Sequence, residues 1–480
     1  MDIVWAKKNN GCYYPLIAHS ADVAAVLHRL ITDTVAGARF SALAEESVTD
    51  LAEAAGYMAV LHDAGKSQTG FRHQTGGGHV TPMVTLLEES DSVRRANEII
   101  LEHFKEPVQT AAQWFEGDAV SWLLTTFGHH GEPVQQSQFD ARAWDETACN
   151  SLQFIADAAA ELYSPPAISV SSSSAQHYYN GLLTLADWIG SDTTYFPYEE
   201  EGVPVDRSDS TDLEVVQGRA KHRAEEALTD IGFFPERASG TVFDLVPEGY
   251  QPYSIQEGTE SLPVHDGSCV VLESATGSGK TEAALGRFAQ LRKAGKVDSL
   301  YFAVPTRAAA TQLYERVDEA ADELFDEAPE VVLAVPGYFD RGQPQQNGRY
   351  EELGQDVRER GWASERSKRY TSAPVAVGTV DQALQSVVQN RHAHLRFAGL
   401  SRSLVVIDEV HSSSIYMEEL LLALVRRLKR VGGQTLLMSA TLANESLNRY
   451  ASIYGAGSAE EAERKDYPSL TYLSDEEQSF

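Results

Sequence analysis

Seven side chains in the N-terminal part of the sequence have the types and order of a metal-binding set. They are His19, the adjacent pair His62 and Asp63, His79, the adjacent pair His129 and His130, and Asp187. Imidazole nitrogens and carboxylate oxygens suit divalent transition ions. One His-Asp pair at the end of an apolar run is ordinarily a helix end, with the histidine as cap and Gly65 as stop. The recurrence of such residues, each near an apolar helix-like run, points past that reading. Lys66 adds a cation that meets phosphate oxygens as a point charge. His103 in LEHFKEP is the alternative to His79, but the Gly-rich TGGGHV and the amphipathic run after it favour His79. His28, His73 and His177 are read as non-ligands.

A second set begins at ESATGSGKTEAAL (273 to 285), which follows an apolar run and opens a helical one. Gly277, Ser278, Gly279, Lys280 and Thr281 have the spacing that wraps backbone N–H groups around phosphates. The lysine reaches the β and γ phosphates and the threonine hydroxyl meets magnesium. A strict phosphate-binding loop has glycine where this chain has Ser274. LVVIDEVHS (404 to 412) puts Asp408 at the end of an apolar strand, placed to hold magnesium through water, with Glu409 as the base for attacking water.

Two kinds of scaffold must hold these sets. LIAHSADVAAVLHRLIT, LAEAAGYMAVLHDAG, AVSWLLTTFGHH and AQHYYNGLLTLADWIGS carry apolar residues at helical spacing. Their ends converge if they form a bundle, where facing helices build metal sites. From about residue 240 short β-branched runs take over: CVVLE, LYFAV, VVLAV, LVVID and TLLMS, most of them separated by helical stretches. That is the pattern of a parallel sheet covered by helices. The expected organisation is an all-α metal-binding domain over 1–235, with an acidic linker at 191–235. An α/β ATP-binding domain with a mainly parallel sheet follows over 236–455, then a tail over 456–480.

The chain has 480 residues, 70 acidic and 39 basic, for a net charge of −31. Only 11 of the 39 basic residues are lysine. An acidic, lysine-poor but globular composition predicts a host with high internal salt, which screens self-repulsion. It does not exclude a DNA enzyme, since concentrated salt already weakens the counterion release on which basic patches rely. It implies delivery to the substrate. No run is long and apolar enough for a bilayer span, no signal peptide is evident, and the three cysteines form no CxxC. The expectation is a cytoplasmic protein with no membrane partner.

The ordered histidines resemble the HD metal-dependent phosphohydrolase superfamily. The resemblance implies one metal held by His19, His62, Asp63 and Asp187. It implies a second held by His79, His129 and His130, with Asp63 bridging. So many histidines favour manganese, iron, cobalt or nickel over magnesium. The second set resembles superfamily 2 helicases of the DExH kind. There Ser439 and Thr441 of MSATL couple hydrolysis to strand movement. Arg307 of AVPTRAAATQLYERV grips a single strand, and Gly378 and Thr379 of VAVGTVDQAL touch its phosphates. Gln256 lies where such enzymes read adenine.

In that order the two halves resemble the CRISPR-associated helicase-nucleases of type I interference systems, over most of residues 15 to 455. HDAGK...F and GHHG match the nuclease grammar, and VPTRA, VGTVDQAL, LVVIDEVHSSSIYMEELL and MSATL match the helicase grammar. The resemblance implies Asp63, Lys66 and Glu409 as catalytic residues and ATP with magnesium as cofactor. It implies single-stranded DNA as substrate and recruitment by a guide-RNA surveillance complex. The sequence stops before a second RecA-like domain, so the expectation is ATP binding with weak hydrolysis and no processive unwinding. The missing domain would come from a separate chain or a longer product. The alternatives are a nucleotide phosphohydrolase, a general repair helicase, or a degenerate docking subunit fused to a nucleic-acid-binding ATPase domain.

Overall fold

The computed structural model describes residues 4–9, 12–73, 79–87, 119–131, 144–164, 166–197, 212–234, 238–335, 370–410, 414–455, 467–476 and 478–479. His103 lies outside them. The chain divides into two compact units, Met1–Asp230 and Ile231–Phe480.

The first unit is a helical bundle with a small hairpin at its start. Helix Leu16–Asp33 is buried on nearly every side, as an all-round apolar helix must be. Helices Val48–Leu61, Ser173–Ile189 and Leu213–Asp230 pack around it. On the first of these Gly56 leaves room for the Tyr163 ring, which a Cβ there would overlap. Side-chain caps fix where the helices begin. Ser47 accepts from the Asp50 N–H at 3.1 Å, Asp145 from Ala148 at 2.8 Å and Ser172 from Ala175 at 3.2 Å. Each such cap is worth about 1 kcal/mol.

The unit is helical as expected, with a short hairpin in which β1 (Trp5–Asn9) pairs antiparallel with β2 (Cys12–Pro15). One sequence expectation changes here. The expected linker at 191–235 holds the helix Leu213–Asp230, which buries Leu213, Val216, Ala220, Ala224, Ala227 and Leu228. From Leu213 to Ala227 they are three or four apart, and Leu228 is four from Ala224, so all lie along one face. The charges between them hide the stripe in a composition reading.

The second unit is an eight-stranded sheet in the order β10-β9-β3-β8-β7-β4-β6-β5. The strands are β3 (Cys269–Glu273), β4 (Ser299–Val304), β5 (Val331–Ala334), β6 (Val375–Thr379), β7 (Ser403–Ile407), β8 (Gln434–Ser439), β9 (Ser469–Leu473) and β10 (Gln478–Ser479). From β3 to β5 in that order all pairings are parallel. The strands β3 to β8 are buried along their length, as β-branched runs require when both faces are covered. Residues read above as a tail contribute β9, antiparallel to β3, and β10 beyond it.

Candidate metal centre and nucleotide face

The bundle brings all seven predicted ligands together. Donor atoms of His19, His62 and Asp187 lie within 4.8 Å of one another, and so do those of Asp63, His79, His129 and His130. Asp63 falls in the second of these groups, and its other oxygen reaches two members of the first. Its Oδ2 is 3.3 Å from His19 Nε2 and 3.4 Å from His62 Nε2, while its Oδ1 is 3.0 Å from His79 Nε2 and 3.8 Å from His129 Nε2. Asp187 Oδ1 completes the first group, 3.4 Å from His19 Nε2 and 3.8 Å from His62 Nε2. His130 Nε2 sits 2.9 Å from His79 Nε2 in the second.

Backbone carbonyls orient two of the rings. His62 Nδ1 lies 2.6 Å from the Ala59 carbonyl and His129 Nδ1 lies 2.9 Å from the Thr126 carbonyl. A donor at Nδ1 leaves a lone pair on Nε2, aimed at the cluster. Thr184 holds the His129 carbonyl in turn, at 2.7 Å. Gly65 places His79: a Cβ there would overlap the His79 carbonyl.

The donor set fits a metal. His19 Nε2, His62 Nε2, His129 Nε2 and Asp63 Oδ1 are buried with no hydrogen-bond partner. Orphaned groups of that kind cost about 1–3 kcal/mol each unless something else satisfies them. Three imidazoles and a carboxylate converging in this way are what a divalent ion takes up.

Charge is unevenly held in the metal-free site. Burial opposes a charge on His62, but Asp63 and then Asp187 overcome it and raise its pKa to about 9. Burial, then the charge on His62, pushes His129 down to about 3. Burial lowers His19, and Lys7 adds to that. Burial opposes charge on Asp63 too, yet Lys66, His62 and His79 hold its carboxyl well below the ordinary carboxylate range. Lys66 is buried and donates to Asp63 Oδ2.

In the second unit the nucleotide residues gather at the carboxyl ends of parallel strands, where open α/β sheets bind ligands. The loop after β3 enters helix Lys280–Lys293 at its N-terminus. Gly279 has a φ of +80°, and a Cβ there would collide with the Gln256 amide. Ser274, where the strict motif has glycine, is buried. Its N–H donates to the Ser439 carbonyl at 3.1 Å, and its carbonyl accepts from Lys280 Nζ at 2.9 Å. Asp408 follows β7, and its Oδ1 accepts from the Glu409 N–H at 2.9 Å. Glu409 has a φ of +56°, a conformation non-glycine residues seldom take. Ser439 Oγ donates to the Thr441 carbonyl at 2.7 Å.

Arg307 is exposed at the start of helix Arg307–Leu324. Gly378 is not brought to the surface. It lies inside β6 against the Tyr301 hydroxyl and Ala334, and Thr379 at the strand end is buried.

Three residues outside the sequence-predicted set border these sites. Lys7 on β1 feels the fields of Asp187, Lys66 and Asp63. Tyr253 stands at Gly279 beside Gln256. Glu273 Oε1 accepts from the Leu442 N–H at 2.8 Å, tying the end of β3 to the segment after Ser439.

Residues 5–196 match the family model described as Cas3, HD domain. Residues 253–450 match that of the DEAD/DEAH box helicases. The CRISPR-associated endonuclease/helicase Cas3 of Escherichia coli (strain K12) is 29% identical over 381 residues, 73% of this chain and 41% of that protein. Two solved structures share the fold. T. fusca Cas3-ATP superimposes with a TM-score of 0.75 at 23% identity, covering 99% of this chain and 55% of that one. A chain of the structure described as CRISPR RNA-guided surveillance complex, pre-nicking, gives 0.63 at 23%, covering 98% and 52%. The chain thus spans about half, or less, of the length of these relatives.

Proposed function

We propose that this chain, a fusion of a Cas3-type HD domain with a DEAD/DEAH-box helicase domain, cuts single-stranded DNA at the metal centre and binds ATP at the sheet, in defence against invading DNA. The observation that carries this reading is Asp63, whose two oxygens face two separate groups of imidazoles.

One ion would be held by His19, His62, Asp63 and Asp187, and the other by Asp63, His79, His129 and His130. The imidazole-rich donor set favours manganese, iron, cobalt or nickel. Ions so held polarise a phosphoryl oxygen and lower the pKa of water. The chain's own contributions are separate from that. The Ala59 and Thr126 carbonyls fix the tautomers of His62 and His129. Lys66, next to Asp63, supplies a positive charge for a phosphate oxygen once the carboxylate is engaged.

In the second unit Lys280 meets the β and γ phosphates and Thr281 and Asp408 hold magnesium. Glu409 orients the attacking water, and Gln256 reads the adenine edge. Arg307, Gly378 and Thr379 serve the single strand, the latter two through the end of β6. For the second unit the reading is ATP binding at the carboxyl ends of the strands. The relatives named above support recruitment by a guide-RNA surveillance complex, which also supplies the delivery that an acidic surface requires.

Circular single-stranded DNA tests the reading. Protein loaded with manganese, iron, cobalt or nickel, at high salt and without ATP, is expected to linearise the circle. EDTA and Asp63→Ala each abolish the cut. Release of phosphate from deoxynucleoside triphosphates with the circle left intact would instead make this a nucleotide phosphohydrolase.

A further inference from the structure

The hairpin β1–β2 places an aromatic ring beside the metal centre. Trp5 on β1 packs against Phe71, with ring centroids 5.2 Å apart and planes at 38°. Phe71 meets His79 edge-on, at 5.8 Å and 77°. The Lys66 ammonium is 5.9 Å from the Phe71 centroid. Trp5, Phe71 and His79 therefore form a continuous row of rings running up to the second group of ligands.

Exposure separates this row from the bundle core. Phe40 and Phe127 in the same unit are each 1% exposed, as packing residues are. Trp5 and Phe71 are half-buried, and so are His79 and His130, whereas His19, His62 and His129 are closed off. The centre is thus open at His79, His130 and Asp187, and the row borders the opening at His79. Lys7, also half-buried, lies two residues along β1 from Trp5, in the field of Asp187 and Asp63.

Half-exposed rings at the mouth of a phosphodiester site, with cations beside them, have the chemistry of a single-strand platform. Every base presents a π-face to an aromatic ring, while the phosphates track positive charge. In a duplex those faces are covered by neighbouring bases, so such a platform selects unstacked strands.

We propose that Trp5 and Phe71 stack a nucleobase flanking the scissile phosphate, with Lys7 and Lys66 facing the phosphate side, so that the metal centre itself selects single strands. The inference rests on the nuclease reading and deepens it.

The test uses the full chain and two labelled strands of equal length, one of oligothymidylate and one of abasic tetrahydrofuran residues. Base stacking predicts that the wild type cleaves and binds the thymidylate strand about five- to a hundredfold better. Trp5→Ala and Phe71→Leu remove that preference by weakening thymidylate only, the leucine keeping apolar volume beneath His79. Trp5→Phe restores most of it. Equal cleavage of both strands by the wild type overturns the proposal. So does a variant that slows both strands alike, which marks a packing role exerted through His79. Anisotropy measured without cleavage separates the two readings. A base preference in binding that Trp5→Ala erases, with neither strand cut by metal-loaded wild type, supports the platform and sinks the nuclease. A wild type that shows no preference in either assay sinks the platform whatever the nuclease does.

Discussion

The backbone carbonyl of His79 passes so close to the α-carbon of Gly65 that no side chain fits between them. The glycine of HDAGK thereby does more than end a helix. It lets the segment carrying His79 approach the segment carrying Asp63, so that His79 Nε2 reaches Asp63 Oδ1 at 3.0 Å.

Gly65→Ala should therefore damage one ion site selectively. Forcing a methyl against backbone costs about 1–3 kcal/mol of stability. The larger effect falls on the group of Asp63, His79, His129 and His130, whose donors must separate. Elemental analysis of the folded variant should lose the ion of that group and keep the ion of His19, His62 and Asp187. Full loading of both would show that the close approach has no bearing on the site.

Metal uptake should release protons. In the metal-free chain the raised pKa of His62 makes it a cation at neutral pH, whereas His129 and His19 are already neutral. The sign follows. The His62 charge stabilises the metal-free fold fully below its unfolded pKa of about 6.5, and that contribution is lost as pH rises through about 9. Ligation needs neutral imidazole, so metal competes with this proton. Titration calorimetry at pH 7.5 in buffers of different ionisation enthalpy should find about one proton released from His62, with affinity rising about tenfold per pH unit up to about pH 9. A pH-independent affinity over that range would contradict the charged state of His62.

Lys280→Ala should weaken ATP binding about 10- to 150-fold, the loss of one charge-assisted contact of about 1.5–3 kcal/mol. Anisotropy of a fluorescent nucleotide reads this directly. Metal-dependent cutting of single strands, assayed without ATP, should be unchanged in the same variant, since its residues lie in the other unit. A parallel loss of cutting would mean that the two sites are coupled.

The net charge of −31 predicts a salt-dependent fold. At low ionic strength the acidic surface repels itself, and screening removes that penalty as the Debye length falls from about 10 Å at 0.1 M to about 3 Å at 1 M. Thermal unfolding midpoints should rise by several degrees, about 1–3 kcal/mol, between 0.1 M and 2 M potassium chloride. A midpoint that is flat or falls across the series would remove the high-salt reading of the composition.

What the sequence made legible was local. His62-Asp63 and GSGKT carry their chemistry within a few residues and beside strong helical or β-branched signals, so their elements could be placed. Strand ends moved by one residue, as for β7 at Ser403–Ile407. What stayed hidden depended on pairing at a distance. VAVGT was read for its strand contacts and turns out to be an interior strand, because only its register with β4 and β5 shows that. SLTYL joins the sheet through β3, nearly two hundred residues away. The hairpin at the start had its own signal, Asn10-Gly11 between two short alternating runs, but the interest of Trp5 appears only once Phe71 and His79 are beside it. Within β6 Gly378 has a packing reason that sequence could not show: a Cβ there would meet the Tyr301 hydroxyl and Ala334.

Counting and locating metal in the crystal tests the central claim most directly. Protein loaded with manganese or nickel should show two anomalous-scattering peaks per chain, one on each side of Asp63, each contacted by a different oxygen of that carboxylate, and Asp63→Ala should lose at least one of them. A single peak held by three or four histidines with Asp63 still paired to Lys66, or no peak at all in folded protein, would contradict a two-metal centre bridged by Asp63.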